Sequence, residues 1–413
     1  MPTSWAQSSS GRRELAPQRD QMFSSRVPPA LSANRLTLEV ARLRGAGRPI
    51  LDLTATNPAA AGLAADPADL AALAAPEACA YHPEPLGLRA AREAIARRIG
   101  LQRGTVPRVD RLALTASTSE AYSVLFKLLC DAGDEVLVPQ PSYPLFEHLA
   151  ALDLVRPVPY RLEYYGSWAI DLASLDHAWS ARTRAVIVVS PNNPTGSALR
   201  ADDLRALQRR CGERDAALIA DEVFAAYPLE PRPDAVTGVL STAEPPALTF
   251  ALDGLSKSCG LPQLKLGWIE CGGPPRQVAA ACERLELILD TYLSVNTPVQ
   301  VALPALLVAG QRLADRIRDR LRRNLQAARR IVAGAPACDL LRVEGGWSAV
   351  LRVPAVQPEE ALALRLLVDD GVLVHPGYFF DFPNEAYLVL SLLTPPAELE
   401  EGLTRVVARA GIA

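Results

Sequence analysis

Histidine and methionine are scarce in this chain, with four histidines and two methionines among 413 residues. No histidine stands in metal-ligand spacing with a cysteine, so a bound metal is not expected. The seven cysteines (79, 130, 211, 259, 271, 282 and 338) are odd in number and include no CxxC pair. That pattern reads as reduced, mostly buried thiols of a cytoplasmic protein, not as a disulfide framework. No apolar run reaches membrane-spanning length; residues 299–309 come nearest, and Pro304 interrupts them. Residues 1–30 are polar and rich in serine and arginine, without the apolar centre of a secretory signal. Basic charge is not in excess: the net charge of −3 argues against nucleic acid as a partner. Internal repeats are also lacking.

What is present suits a globular protein with a sizeable core, at 49% hydrophobic and 22% charged residues. The length fits one large and one smaller domain. A flexible segment is expected over residues 1–33, a large domain over 75–310, and a small domain built from 34–74 and 311–413. Translation from Met1 and from Met22 both remain open. Residues 34–45 read as an amphipathic helix, and residues 89–98 as another. A long helix over about 306–332 carries eight arginines between 311 and 334, with Leu313, Ile317, Leu321 and Leu325 as its buried stripe. Those arginines are most simply a solvated face.

Several stretches place reactive side chains at turns. An apolar strand over 185–189 runs into Ser190-Pro191-Asn192-Asn193-Pro194-Thr195-Gly196. The strand over 216–220 ends at Asp221-Glu222-Val223-Phe224, and that over 247–252 leads to Ser256-Lys257-Ser258. Asn193, Asp221 and Lys257 therefore each follow the carboxyl end of a strand, the edge at which open α/β sheets bind ligands. A desolvated lysine there loses its proton and becomes a nucleophile towards an aldehyde. Taken alone, it is an ordinary loop lysine. A second cation, Lys265, follows eight residues later in a strand-like run over 264–270. Ser117 and Glu120 form a capping box, and the helix start at Thr118-Ser119 offers backbone N–H groups to an anion. By itself that is a well-capped helix. Tyr143, in the turn Pro141-Ser142-Tyr143-Pro144, is by itself a packing residue.

In their order and spacing these motifs resemble the class I/II aminotransferases, pyridoxal-phosphate enzymes of fold type I. The resemblance runs from about residue 35 to the end of the chain. It implies a three-layer α/β/α large domain with a mostly parallel sheet and a smaller α+β domain. Lys257 would hold pyridoxal 5'-phosphate as a Schiff base and shuttle the proton of the substrate. Asp221 would keep the cofactor ring nitrogen protonated, and Asn193 would donate to the ring oxygen. Tyr143 would stack on the ring, while Thr118, Ser119 and Lys265 would take the phosphate. Tyr81 looks like the tyrosine that reaches the phosphate of the neighbouring subunit, which implies a homodimer with shared sites and a contribution from residues 292–298.

The chain departs from the family at four positions. Phe224 stands where a tyrosine usually donates to the ring oxygen. Gly254 replaces a serine, and Lys265 an arginine. Val389, in Val389-Leu390-Ser391, occupies the register of the arginine that binds a substrate α-carboxylate. Either another cation serves, with Arg26 the first candidate and Arg342 the second, or the substrate presents no α-carboxylate there. The activity implied is transfer of an amino group between an amino donor and a 2-oxo acid. Another reaction of the same cofactor, such as β-elimination or decarboxylation, is the alternative. A sensor domain of a transcription regulator fits less well, since some 35 residues precede the fold, too few for a winged helix.

Overall fold

The structure is a computed structural model that describes residues 22–28, 32–241 and 244–411. Most of the segment expected to be flexible, residues 1–33, lies outside the described residues. The chain begins with α1 (Arg35–Gly45), β1 (Leu51–Asp52), two short 3-10 helices, α2 (Arg89–Arg103), β2 (Leu112–Thr115) and α3 (Thr118–Leu129). It continues with β3 (Glu135–Gln140), α4 (Leu145–Leu152), β4 (Arg156–Tyr164), β5 (Trp168–Ile170) and α5 (Leu172–Ala178). Next come β6 (Thr183–Val189), α6 (Ala201–Glu213), β7 (Ala217–Asp221), β8 (Thr249–Gly254), the single turn α7 (Leu255–Ser258) and β9 (Gly267–Gly272). Then follow α8 (Pro275–Tyr292), α9 (Thr297–Ala333), β10 (Asp339–Leu340), β11 (Ser348–Arg352) and α10 (Glu359–Val368). The last elements are β12 (Val372–Leu373), β13 (His375–Pro376), β14 (Tyr387–Ser391) and α11 (Pro396–Gly411).

Eight strands form the central sheet, in the order β2-β9-β8-β7-β6-β3-β4-β5. The five from β8 to β4 are mutually parallel, while β9 and β5 run against their neighbours. Both faces are covered, which is why the central strands β6 and β7 carry unbroken apolar runs over 185–189 and 217–220. On β6, Ile187 packs with Leu125 of α3 and Leu285 of α8; the next side chain back, Val186, packs with Leu204 and Leu207 of α6. Three layers follow directly from that alternation. Because β6, β7 and β8 are parallel, their carboxyl ends share one edge, and Asn193, Asp221 and Lys257 are gathered there.

A smaller sheet, β10-β11-β14-β13, and the two-stranded pair β1-β12 complete the fold. Leu51 pairs with Val372, so the first strand of the chain joins its last quarter. A second core surrounds them, with Leu36, Leu53, Leu366, Leu390 and Leu403.

Helix α9 differs from the sequence expectation. It starts at Thr297, well before residue 306, and runs straight through Pro304 and across residue 310, where the domain boundary is expected. Asn296 caps it by accepting from Val299 N–H at 3.1 Å. A proline inside a helix removes one hydrogen bond and costs about 3 kcal/mol. Burial of Leu303, Leu306 and Leu307 around it offsets that cost. The arginines of α9 are only partly a solvated face: Arg320 donates to the Ala61 and Leu393 carbonyls, Arg318 to that of Ala226, and Arg312 pairs with Asp69.

Candidate active site

Strand β8 runs to Gly254, two residues beyond the expected end, and the chain turns at once into α7. A Cβ at Gly254 would lie 2.9 Å from Gly267 Cα on β9, so no serine fits in this backbone arrangement. The backbone of Lys257 is pinned from outside: Tyr227 Oη donates to its carbonyl at 2.6 Å. Its side chain is partly buried, and Nζ stands 5.0 Å from the centre of the Trp347 ring. Nζ makes no hydrogen bond among the described residues. Desolvation lowers the Lys257 pKa, and the Asp221 charge opposes that shift.

Asp221 ends β7. Its Oδ1 accepts from Val223 N–H and its Oδ2 from Tyr122 Oη, each at 3.1 Å. Burial pushes its pKa up to about 6 against those two donors. It makes no ion pair among the described residues. A desolvated carboxylate that no ion pair closes off, with Lys257 acting on it only through space, fits a cationic ligand group beside it.

Asn193 and its neighbour tie three loops together. Asn193 Oδ1 accepts from Ser348 Oγ at 3.1 Å, which leaves its amide N–H groups for a ligand. Asn192 donates to the Pro141 carbonyl at 3.1 Å and accepts from Ser142 Oγ at 3.2 Å. The turn that presents Tyr143 is thereby held against residues 190–196. The Tyr143 ring itself is largely open.

At the start of α3, Ser117 Oγ accepts from Glu120 N–H at 3.1 Å. Only half of the capping box forms, because Glu120 reaches past Ser117 to accept from the Ala116 N–H at 2.5 Å. The backbone N–H groups of Thr118 and Ser119 are without partners among the described residues. Gly267 lets this helix start approach β9, since a Cβ there would lie 3.2 Å from Thr118 N. Lys265 is exposed, in the left-handed region at φ +52°, and precedes β9 instead of lying inside it.

Tyr81 is 74% exposed and lies in a separate cleft with Leu293, Ser294 and Gln300. Val389 is 3% exposed, paired across β14 with Val350 and His375, in one apolar cluster with Phe380 and Phe382. Neither candidate arginine points to that wall. Arg26 donates to the Leu152 carbonyl at 3.4 Å, at the end of α4 opposite Tyr143. Arg342 donates to the Glu230 carbonyl at 3.2 Å, and its Nε lies 3.5 Å from Glu344 Oε1.

Sequence reasoning missed Tyr122, Tyr227, Trp347 and Ser348. Tyr122 sits on the apolar face of α3 and reads as core. Trp347 follows two glycines, and no local signal says which lysine it meets. A cleft of about 300 Å³ lined by Cys211, Asp215 and Arg284 opens at the other ends of β6 and β7, away from these groups.

The chain is similar to known proteins over most of its length. The family described as aminotransferase class I and II matches residues 50–406. Alanine aminotransferase of Mycobacterium tuberculosis is 29% identical over 376 residues, covering 89% of this chain and 86% of that protein. Glutamate-pyruvate aminotransferase of Escherichia coli is 25% identical over 375 residues, covering 89% and 92%. The solved structure of alanine aminotransferase from Pyrococcus furiosus superposes with a TM-score of 0.82 at 25% identity, over 90% of this chain and 95% of that one. With the family match spanning most of the chain, this protein belongs to the class I and II aminotransferases, the pyridoxal-phosphate enzymes of fold type I.

Proposed function

We propose that Lys257 carries the pyridoxal phosphate of this aminotransferase and that the groups around it serve the transfer of an amino group between an amino donor and a 2-oxo acid. The observation that carries the assignment is the uncommitted Lys257 amine beside Asp221, a buried carboxylate without an ion pair, on neighbouring strand ends. Bound there, the cofactor supplies an electron sink for the bond broken at the substrate α-carbon. Lys257 would hold and return the proton at the substrate α-carbon. Asp221 keeps the ring nitrogen protonated, and Tyr122 and Val223 N–H hold the carboxylate in place. Asn193 donates to the ring oxygen, with its amide turned by Ser348. Thr118, Ser119 and Lys265 hold the phosphate, and Tyr143 covers the ring.

The names of the Mycobacterium tuberculosis and Escherichia coli relatives support an α-amino acid such as alanine or glutamate as donor. Val389 favours a second reading, in which the donor is an amine without an α-carboxylate, since the residue is buried in an apolar cluster with Phe380 and Phe382 and supplies no cation itself. Two copies of the chain form the enzyme: Tyr81 together with Tyr292 and Leu293 leaves an open aromatic and apolar surface that a second copy covers. The domain division at residues 75–310, with 34–74 and 311–413 as the small domain, and a cytoplasmic location for its seven free thiols complete the proposal. Among the described residues no helix is long and apolar enough to cross a membrane.

Borohydride reduction of the loaded enzyme, followed by peptide mapping, is expected to label Lys257. A label on another lysine refutes the assignment. Offering amino acids and amines while following cofactor absorbance separates the two donor classes.

A further inference from the structure

We infer that Trp347 is a positioning residue of this active site, its indole face holding the Lys257 nitrogen and favouring the protonated form of that nitrogen. The inference rests on Lys257 being the cofactor lysine. Nζ lies 5.0 Å from the ring centre, within the range over which a cation is attracted to the negative face of an aromatic ring. Trp347 is 5% exposed, so little water screens the interaction.

The indole has no freedom to turn away. Phe224 and Tyr227 each meet it edge-on, both at 5.3 Å between centres. Tyr227 also donates to the Lys257 carbonyl, so one side chain braces both the lysine and the ring above it. The backbone leading to Trp347 is clamped: Gly345 N–H donates to the Gly196 carbonyl at 2.9 Å and Gly346 N–H to that of Tyr227 at 3.0 Å. Gly346 is at φ +87°, which other residues rarely adopt, and a Cβ on Gly345 would lie 2.7 Å from Pro191. The Trp347 carbonyl accepts from Leu392 N–H at 2.8 Å. Ser348, the next residue, fixes the Asn193 amide. A single short segment from the far side of the sequence thus sets both the lysine and the amide.

The position of Phe224 gives the arrangement its chemical sense. A tyrosine there would donate to the cofactor oxygen; Phe224 offers only a ring edge to the indole. The protonated nitrogen loses a competitor in that donor and gains the indole face. The titratable groups that bear on Lys257 are Asp221 on β7, Tyr122 of α3 and Tyr143 in the turn after β3, which both interact with Asp221, and Tyr227, which donates to the Lys257 carbonyl. Any test has to change the ring face and leave those charges alone.

Fluorination does that, because it withdraws electron density from the indole face with little change of shape. Trp347 is replaced by mono-, di- and trifluorinated tryptophan, and the absorbance of the pyridoxal-phosphate-loaded enzyme is followed against pH. The midpoint is expected to fall with each fluorine, by about half a pH unit or more across the series. Trp347→Leu should fall at least as far as the trifluorinated form, and Trp347→Phe, which keeps a ring, less. An unchanged midpoint across the fluorinated series overturns the inference, as does a Phe variant shifted as far as the Leu variant. A parent enzyme with no cofactor on Lys257 overturns the site assignment and this inference with it. A parent that titrates while its fluorinated forms stay fixed overturns this inference alone.

Discussion

Arg103, in the last turn of α2, forms an ion pair with Glu222, the residue directly after Asp221, and both side chains are nearly free of solvent. The same guanidinium donates to Glu270 of β9 at 2.7 Å. Glu222 in turn accepts from Val239 N–H at 2.7 Å. One arginine thus pairs with two buried carboxylates and fastens the turn that presents Asp221. Desolvation opposes its charge, and Glu222 and Glu270 more than restore it.

Removing that cation leaves two buried carboxylates without a counter-charge. Arg103→Ala is expected to destabilise the cofactor-free protein by roughly 3–5 kcal/mol, the range for breaking a buried ion pair. Urea unfolding followed by circular dichroism measures it, and a loss below about 1 kcal/mol would show that water reaches the carboxylates.

Asp253 gives the stability a pH dependence of its own. Burial raises its pKa from 3.8 to about 7, with Arg98 acting against the shift. A folded pKa above the unfolded one means that the native state binds the proton more tightly. The contribution is therefore full below about pH 4 and is lost as pH rises towards 7. Asp253→Asn is expected to gain on the parent by a few kcal/mol between those limits. Unfolding free energies of the two proteins at a series of pH values test this; parallel curves would refute it.

On the proposed assignment, Phe224→Tyr would place a hydroxyl beside the cofactor oxygen. A donor to that oxygen stabilises its charged form, so the absorbance midpoint of the loaded enzyme should fall by about one pH unit. A rise, or no change, would mean that the Phe224 ring does not face the cofactor.

Lys265, proposed to hold the phosphate, is a point charge without the fork of a guanidinium. Its loss in Lys265→Ala should weaken cofactor binding by roughly 1.5–3 kcal/mol, the range for hydrogen bonds to a charged group. Lys265→Arg should retain or tighten binding. Cofactor titration of the apoenzymes decides; equal affinity for the alanine variant and the parent would remove Lys265 from the phosphate site.

The strands and the turns that follow them were legible in the sequence because their signals are local. The apolar run over 185–189 is buried on both faces whatever surrounds it, and Ser190-Pro191-Asn192-Asn193-Pro194 cannot continue it. The placement of Asn193, Asp221 and Lys257 on one sheet edge followed from the same reading, since parallel strands share their carboxyl ends. The capping role of Ser117 was legible for the same reason, the bond spanning three residues. Contacts between distant segments were not. Tyr122 on Asp221, Arg103 on Glu222 and Trp347 on Lys257 depend on how helices and sheets dock, and no periodicity along the chain encodes that. Pro304 shows the same limit inside a single element: its local preference ends a helix, and the apolar packing of Leu303, Leu306 and Leu307 carries α9 through it. Local propensities of a few kcal/mol settled the elements, and burial summed over many residues settled which side chains meet.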